Sequence, residues 1–177
     1  DLGAIVTGVL EFSRAELAQA GIALELEVAP GLPDVSADEA QLRQALLNLV
    51  RNAREAMSNR PGGRLRVTVD RPDGAREVRV TVSDSGAGIP SENLGQIFEP
   101  FFSTKERGTG LGLALVQQIV VEHGGRIDVE SGPAAGTTFT LSFPVPDAGA
   151  PATVDEEGGR QRGPAASQGA EGVIAAR

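Results

Sequence analysis

Two asparagines one helical turn apart, Asn48 and Asn52, share a polar stripe with Gln41, Gln44 and Glu55, opposite the apolar positions of the same segment. A carboxamide oxygen is a hard, neutral ligand, suited to a Mg²⁺ ion that also holds phosphates and water. Taken alone, the stripe fits a solvated helix face better, and only the motifs farther along the chain give it meaning. Asp84-Ser85-Gly86-Ala87-Gly88-Ile89-Pro90 comes directly after a strand-like run. The carboxylate can accept from the amino group of adenine, and the two glycines let the backbone approach a flat ligand. The same residue types also form ordinary strand-ending turns.

A second glycine cluster, Gly108-Thr109-Gly110-Leu111-Gly112-Leu113, leads into an apolar-periodic segment. Its backbone N–H groups and the following helix N-terminus make an anion site. Packing alone explains these glycines poorly, since each costs about 1 kcal/mol relative to Ala inside a helix. No Gly-Lys-Ser/Thr follows, which excludes a P-loop, and the spacing is wrong for a dinucleotide fingerprint. Between the clusters lie seventeen residues, Ser91 to Arg107, carrying Phe98-Glu99-Pro100-Phe101-Phe102-Ser103-Thr104-Lys105. A connection of this length reads as a lid, with the phenylalanines as clamp rather than core and Lys105 near the phosphate cluster.

The elements that must hold these residues are legible from periodicity. Leu2 to Ala20 is predicted helical and stops at Gly21, and Ile22 to Val28 alternates as a strand with one buried face. Ser36 and Glu39 stand in capping-box spacing before a helix that runs to about Met57 on the apolar face Leu42, Leu46, Leu49, Ala53 and Met57. Arg64 to Asp70 and Ala75 to Ser83 form a hairpin about Pro72-Asp73-Gly74. A further helix is expected from about Thr109 to His123, ended by Gly124-Gly125, with closing strands at Arg126 to Glu130 and Thr137 to Phe143. The fold class is α+β: a two-layer sandwich with helices on one face of a mixed, mainly antiparallel sheet. Residues 1–146 make one domain, and 147–177, rich in Ala, Gly, Pro, Glu and Gln, read as a disordered tail.

Composition narrows the classes. A net charge of −8 without a basic run leaves no footprint for nucleic acid or an anionic membrane. Zero cysteines exclude disulfides and thiol chemistry, which fits a cytoplasmic setting, and no apolar run reaches the length of a membrane span. The opening Asp1-Leu2-Gly3 reads as part of something longer.

In this order the motifs resemble the catalytic domain of two-component sensor histidine kinases, within the Bergerat-fold group that includes gyrase, Hsp90 and MutL ATPases. Asn48-Leu49-Val50-Arg51-Asn52-Ala53 resembles the N box, Asp84 to Ile89 the G1 box, Ile97 to Lys105 the F box, and Gly108 to Gly112 the G2 box. Gly136-Thr137-Thr138-Phe139 matches the closing strand motif. The resemblance implies ATP and Mg²⁺ as cofactors, with Asn52 as metal ligand and Asp84 as adenine acceptor. It places Lys105 at the γ-phosphate and Thr137 in support of Asp84. Gly86, Gly88 and Ile89 would line the base; Thr104, Gly108, Thr109, Gly110, Leu111, Gly112 and Leu113 would line the phosphate path.

The gyrase-like members carry a water-activating Glu at the place of Asn48, and Asn cannot take that proton. Poor hydrolysis and transfer to an imidazole are therefore expected, with Asn48 and Lys105 as the catalytic pair. Many members have a basic residue and Tyr where this chain has Glu55-Ala56, and the lid sequence is closer to the nitrogen-regulation type, in which its Lys takes over that phosphate contact. The single histidine, His123, ends a helix and suits its C-terminal dipole. The resemblance puts the acceptor on a separate dimerisation hairpin, with a response regulator downstream and a homodimeric parent. An anti-sigma-type Ser/Thr kinase and a nucleotide-binding module without turnover remain the competing readings.

Overall fold

The computed structural model describes residues 1–58, 62–105 and 108–146, so the expected tail lies outside the described residues. In chain order the elements are α1 (Leu2–Gln19), β1 (Ala23–Val28), α2 (Glu39–Ala56), β2 (Arg64–Asp70), β3 (Glu77–Asp84), α3 (Ser91–Leu94), α4 (Gly112–Glu122), β4 (Arg126–Gly132) and β5 (Gly136–Pro144). The strands form one sheet in the order β1-β2-β3-β5-β4. Only β1 and β2 run parallel; the other pairs are antiparallel.

Register explains the layering. Leu26, Val67, Val82, Phe139 and Val129 stand in one row across all five strands, and Val28, Val69, Val80, Leu141 and Ile127 in the next. Between them runs a polar row, Glu27, Thr68, Thr81, Thr140 and Asp128, which faces the other way because strand side chains alternate. Helices α1, α2 and α4 cover the apolar face, burying Leu2, Val6, Leu10 and Leu17, then Leu42, Leu46, Leu49 and Ala53, then Val116, Ile119 and Val120. Each such Leu, Ile or Val side chain contributes roughly 1.5–3 kcal/mol of burial, so the helix layer is fixed by its apolar stripes rather than by its charges.

Two helix starts differ from the sequence reading. Helix α2 is capped by Asp38, whose carboxylate accepts from Gln41 N at 2.9 Å, while Glu39 pairs with Arg43. The Ser36–Glu39 box does not form, because Ser36 lies two residues before the N-cap and a carboxylate already occupies the N-cap position. Helix α4 begins at Gly112, not Thr109. Gly110 has φ +67, outside any right-handed helix, so Thr109 to Leu111 stay in the loop. His123 does end α4, and its ring ties two helices together: Nδ1 meets Ile119 O at 2.6 Å, and Nε2 accepts from Asp38 N at 2.9 Å.

Candidate functional site

The alternation Val78, Val80, Val82, Asp84 places the carboxylate on the helix side of β3, at the sheet's end between Leu65 and Thr137. Asp84 is 8 % exposed, and Oδ1 accepts from Gly86 N at 2.7 Å. Burial pushes its carboxyl above the ordinary aspartate range, only partly offset by the N–H groups of Gly86 and Thr137 and by the charge of Lys105.

The loop after Asp84 is clasped by the β4–β5 hairpin. Gly88, at φ +75, lies so close to Gly132 that a Cβ would stand 1.9 Å from its carbonyl oxygen; a Cβ on Gly136 would stand 2.0 Å from Asp84 O. Ala134 N donates to Ala87 O at 2.7 Å, and Ile89 N donates to Ser131 Oγ at 2.8 Å. The Ser131 hydroxyl also meets Gly136 O at 2.8 Å and Thr137 Oγ1 at 2.9 Å. Sequence reasoning misses Ser131, whose Ser-Gly-Pro context signals only a turn; its role comes from the register of the hairpin.

Helix α2 is the floor on which the other motifs close. At its C-terminal end Ala87 N donates to Ala56 O at 3.1 Å, and Gly86 lies against Ala56, where a Cβ would stand 2.7 Å from Ala56 Cβ. One residue earlier, Glu55 receives Lys105 from the lid at 2.5 Å. Two turns toward the N-terminus, the space beside Gly112 is bounded by Asn48 Oδ1, 3.5 Å from a Cβ there. From Asn48 to Ala56 the helix rises about 12 Å. Asn48 ties its Nδ2 to Gln44 O at 3.1 Å, whereas the half-buried Asn52 carboxamide makes no hydrogen bond among the described residues.

At the other wall, α4 starts without a side-chain cap, so no capping side chain takes up its first amides. The preceding loop is zipped to the lid: Phe101 N donates to Gly110 O at 3.0 Å, with Phe101 itself at φ 70. Gly108 N donates to Lys105 O at 3.1 Å, and Leu111 N reaches Thr109 Oγ1 at 3.5 Å.

The histidine kinase-, DNA gyrase B-, and HSP90-like ATPase family matches residues 37–147. The chain belongs to this family. Among curated relatives, the sensor histidine kinase ZraS of Klebsiella oxytoca is 45 % identical over 82 % of this chain and 31 % of its own length. The sensory histidine kinase/phosphatase NtrB of Rhodobacter capsulatus is 47 % identical over 66 % of this chain and 35 % of its own. The chain thus spans about a third of the curated relatives it matches. A solved catalytic domain of the histidine kinase ThkA superposes with a TM-score of 0.72 at 34 % identity, covering 82 % of this chain and 95 % of that one. The fold is therefore that of a histidine kinase ATP-binding domain, and the relatives include the nitrogen-regulation type.

Within this ATP-binding domain the lid divides in two. Ile97 is buried, and Phe98 and Phe102 are partly buried against the core, Phe98 meeting Phe139 edge-on at 6.5 Å between centroids. Only Phe101, 78 % exposed, matches the expectation of a free aromatic. In the first half Ile97 is buried and Leu94 of α3 packs partly against the core; Ser103, Thr104 and Lys105 stand exposed. Of the remaining expected residues, Ile89 and Leu113 are partly buried against the core, Leu111 is exposed, and Thr137 is buried beside Asp84. No helix of the described residues is long and apolar enough to cross a membrane.

Proposed function

We propose that this domain binds Mg²⁺-ATP and passes the γ-phosphoryl group to a histidine on a separate dimerisation and phosphoacceptor domain, the autophosphorylation step of two-component signalling. The observation that carries it is the convergence on one face of α2: the Asp84 loop at Ala56, the lid at Glu55 and the α4 loop at Asn48. The buried Asp84 accepts the adenine amino group, Gly86, Gly88 and Ile89 shape the base site, and Thr137 fixes the carboxylate. The loop Gly108 to Gly112 with Leu113 offers backbone N–H groups to the phosphates, and Thr104 and Lys105 close from the lid.

Among the described residues no three carboxylates or histidines gather into a metal site. The free carboxamide of Asn52, half-buried on the cleft face, fits a Mg²⁺ whose other ligands are phosphate oxygens and water. Asn52 would hold the ion, which supplies charge neutralisation at the phosphates when bound. Asn48 has no basic oxygen with which to activate water, so the domain by itself should turn ATP over slowly. The nucleophile is an imidazole nitrogen from outside: the N–P bond forms as the bond from the γ-phosphorus to the β,γ-bridging oxygen breaks, and ADP leaves.

We read the parent as a cytoplasm-facing homodimer with a response regulator downstream; the solved complex of ThkA with the response regulator TrrA supports the last of these. The test is to incubate the chain with γ-labelled ATP and a His-bearing dimerisation hairpin. Acid-labile, base-stable phosphate on the hairpin is expected. Acid-stable phosphate on a protein partner, or nucleotide binding without transfer to any acceptor, overturns the assignment.

A further inference from the structure

Lys105 is the only lysine among the 16 basic residues of the chain, and it sits on the exposed half of the lid. Its ammonium meets Glu55 Oε2 at 2.5 Å, while Glu55 Oε1 accepts from Arg51 Nε at 3.0 Å. The carboxylate is thus held at both oxygens, by its own helix on one side and by the lid on the other. Glu55 lies three residues beyond Asn52, on the same face of α2. We propose that Glu55 is the positioning residue for Lys105: anchored by Arg51, it aims the lid ammonium at the terminal phosphate of the nucleotide. The inference rests on the nucleotide reading above and deepens it.

Three considerations carry it. A lysine on an exposed segment has a flexible four-carbon stem whose rotamer freedom is lost on ordering, a cost that a fixed partner meets in advance. An ammonium has three donors; one goes to Glu55 and two remain for phosphate oxygens. Glu55 also keeps the charge this role requires. Its partial burial favours the neutral form, but hydrogen bonds and attraction from Lys105 and Arg51 outweigh this and hold its carboxyl below the ordinary glutamate range. The same pair contributes little to folding, since solvent screens an ion pair at this exposure, so its removal reads out function.

The opposite role is a latch, with Glu55 holding Lys105 away from the nucleotide, and it predicts effects of the opposite sign. The test compares wild type, Glu55→Gln, Lys105→Ala and the double variant for ADP affinity, ATP affinity and transfer to the His-bearing hairpin. Positioning predicts ADP affinity within about twofold in all four, and a loss of ATP-over-ADP preference and of transfer rate of about tenfold in Glu55→Gln. The double variant should be no worse than Lys105→Ala alone. Lysine-specific ¹⁵N labelling gives one Nζ signal, which ATP but not ADP should shift in wild type, with the shift reduced in Glu55→Gln. Tighter ATP binding or faster transfer in Glu55→Gln, losses that multiply in the double variant, or an equal loss for ATP and ADP would overturn the proposal. Absence of ADP binding by the wild-type chain would instead overturn the nucleotide reading itself.

Discussion

The two ends of the cleft are built differently. Around Asp84, a loop of small residues is gripped by the β4–β5 hairpin through backbone and Ser131 hydrogen bonds, with glycine contacts that leave no room for a methyl group. Around Lys105, the side chains of Phe101, Ser103, Thr104 and Lys105 are exposed, and among the described residues the segment is tied to the rest of the site by the Phe101–Gly110 backbone bond, the Glu55 ion pair and the partly buried Phe102. Under the proposed function, recognition of a flat base demands a preorganised acceptor, since any reorganisation would subtract from affinity. Delivery of a phosphoryl group to another domain would demand that the phosphates be covered and then reached, which a lightly held segment permits.

The same substitution at both ends tests this contrast. Gly88 and Gly110 have similar left-handed backbones, φ +75 and φ +67, and a Cβ on each would run into backbone, Gly132 O at 1.9 Å and Phe101 C at 2.4 Å. At Gly88 the obstacle is part of the sheet, so Gly88→Ala should destabilise the domain by about 4 kcal/mol and eliminate nucleotide binding. At Gly110 the obstacle is the backbone of Phe101, which belongs to the lid rather than to the sheet. Gly110→Ala should therefore add displacement of the lid to the left-handed strain of about 1–2 kcal/mol, cost less than Gly88→Ala, and lower transfer. Denaturant unfolding measures both, and equal losses would erase the distinction between the ends.

A smaller effect is expected at Ser131, whose hydroxyl joins the clasped loop to the hairpin. Ser131→Ala leaves Ile89 N without its acceptor and Gly136 O without its donor, a loss of about 1–3 kcal/mol. Faster amide exchange at Ile89, together with weaker ADP binding, would show that the hydroxyl holds the base end. Unchanged exchange would mean that the glycine contacts suffice without it.

The contrast also separates the features that are legible in the sequence from those that are not. Strand alternation through Val78, Val80 and Val82 and the apolar stripe of α2 are local patterns, legible without knowledge of the neighbours, whereas the extension of β3 to Asp84, expected just after the strand, comes from its pairing with Leu65 and Thr137. Periodicity starts α4 too early, at Thr109, because it does not report that Gly110 is left-handed. It also makes the lid look uniformly exposed, because three phenylalanines near a charge are alike in one dimension, although Phe98 and Phe102 pack back against the core and Phe101 does not. Contacts between distant segments, Ser131 with Ile89 or His123 with Asp38, have no local signature at all. The Glu55–Lys105 pair belongs with them, since its partners lie fifty residues apart.

The last and smallest effect sets stability against function at Asp84. Its folded carboxyl lies above the ordinary range because burial opposes the charge, so between the unfolded and folded values the native state holds more protons than the unfolded chain. Stability must then fall as pH rises through that window and stay lowered above it. Asp84→Asn keeps an oxygen to accept from Gly86 N but cannot ionise. The variant should lose that downward step, be at least as stable as wild type at neutral pH, and bind no ADP. Measured as the difference in unfolding free energy between the two proteins from about pH 3 to pH 8, a range that brackets an ordinary and a raised carboxyl, the gap should open in favour of Asn as pH rises. A gap opening in favour of Asp would mean that the charge is supported by the clasp, and the base end would then be a stabilising device rather than a site held ready at a cost in stability.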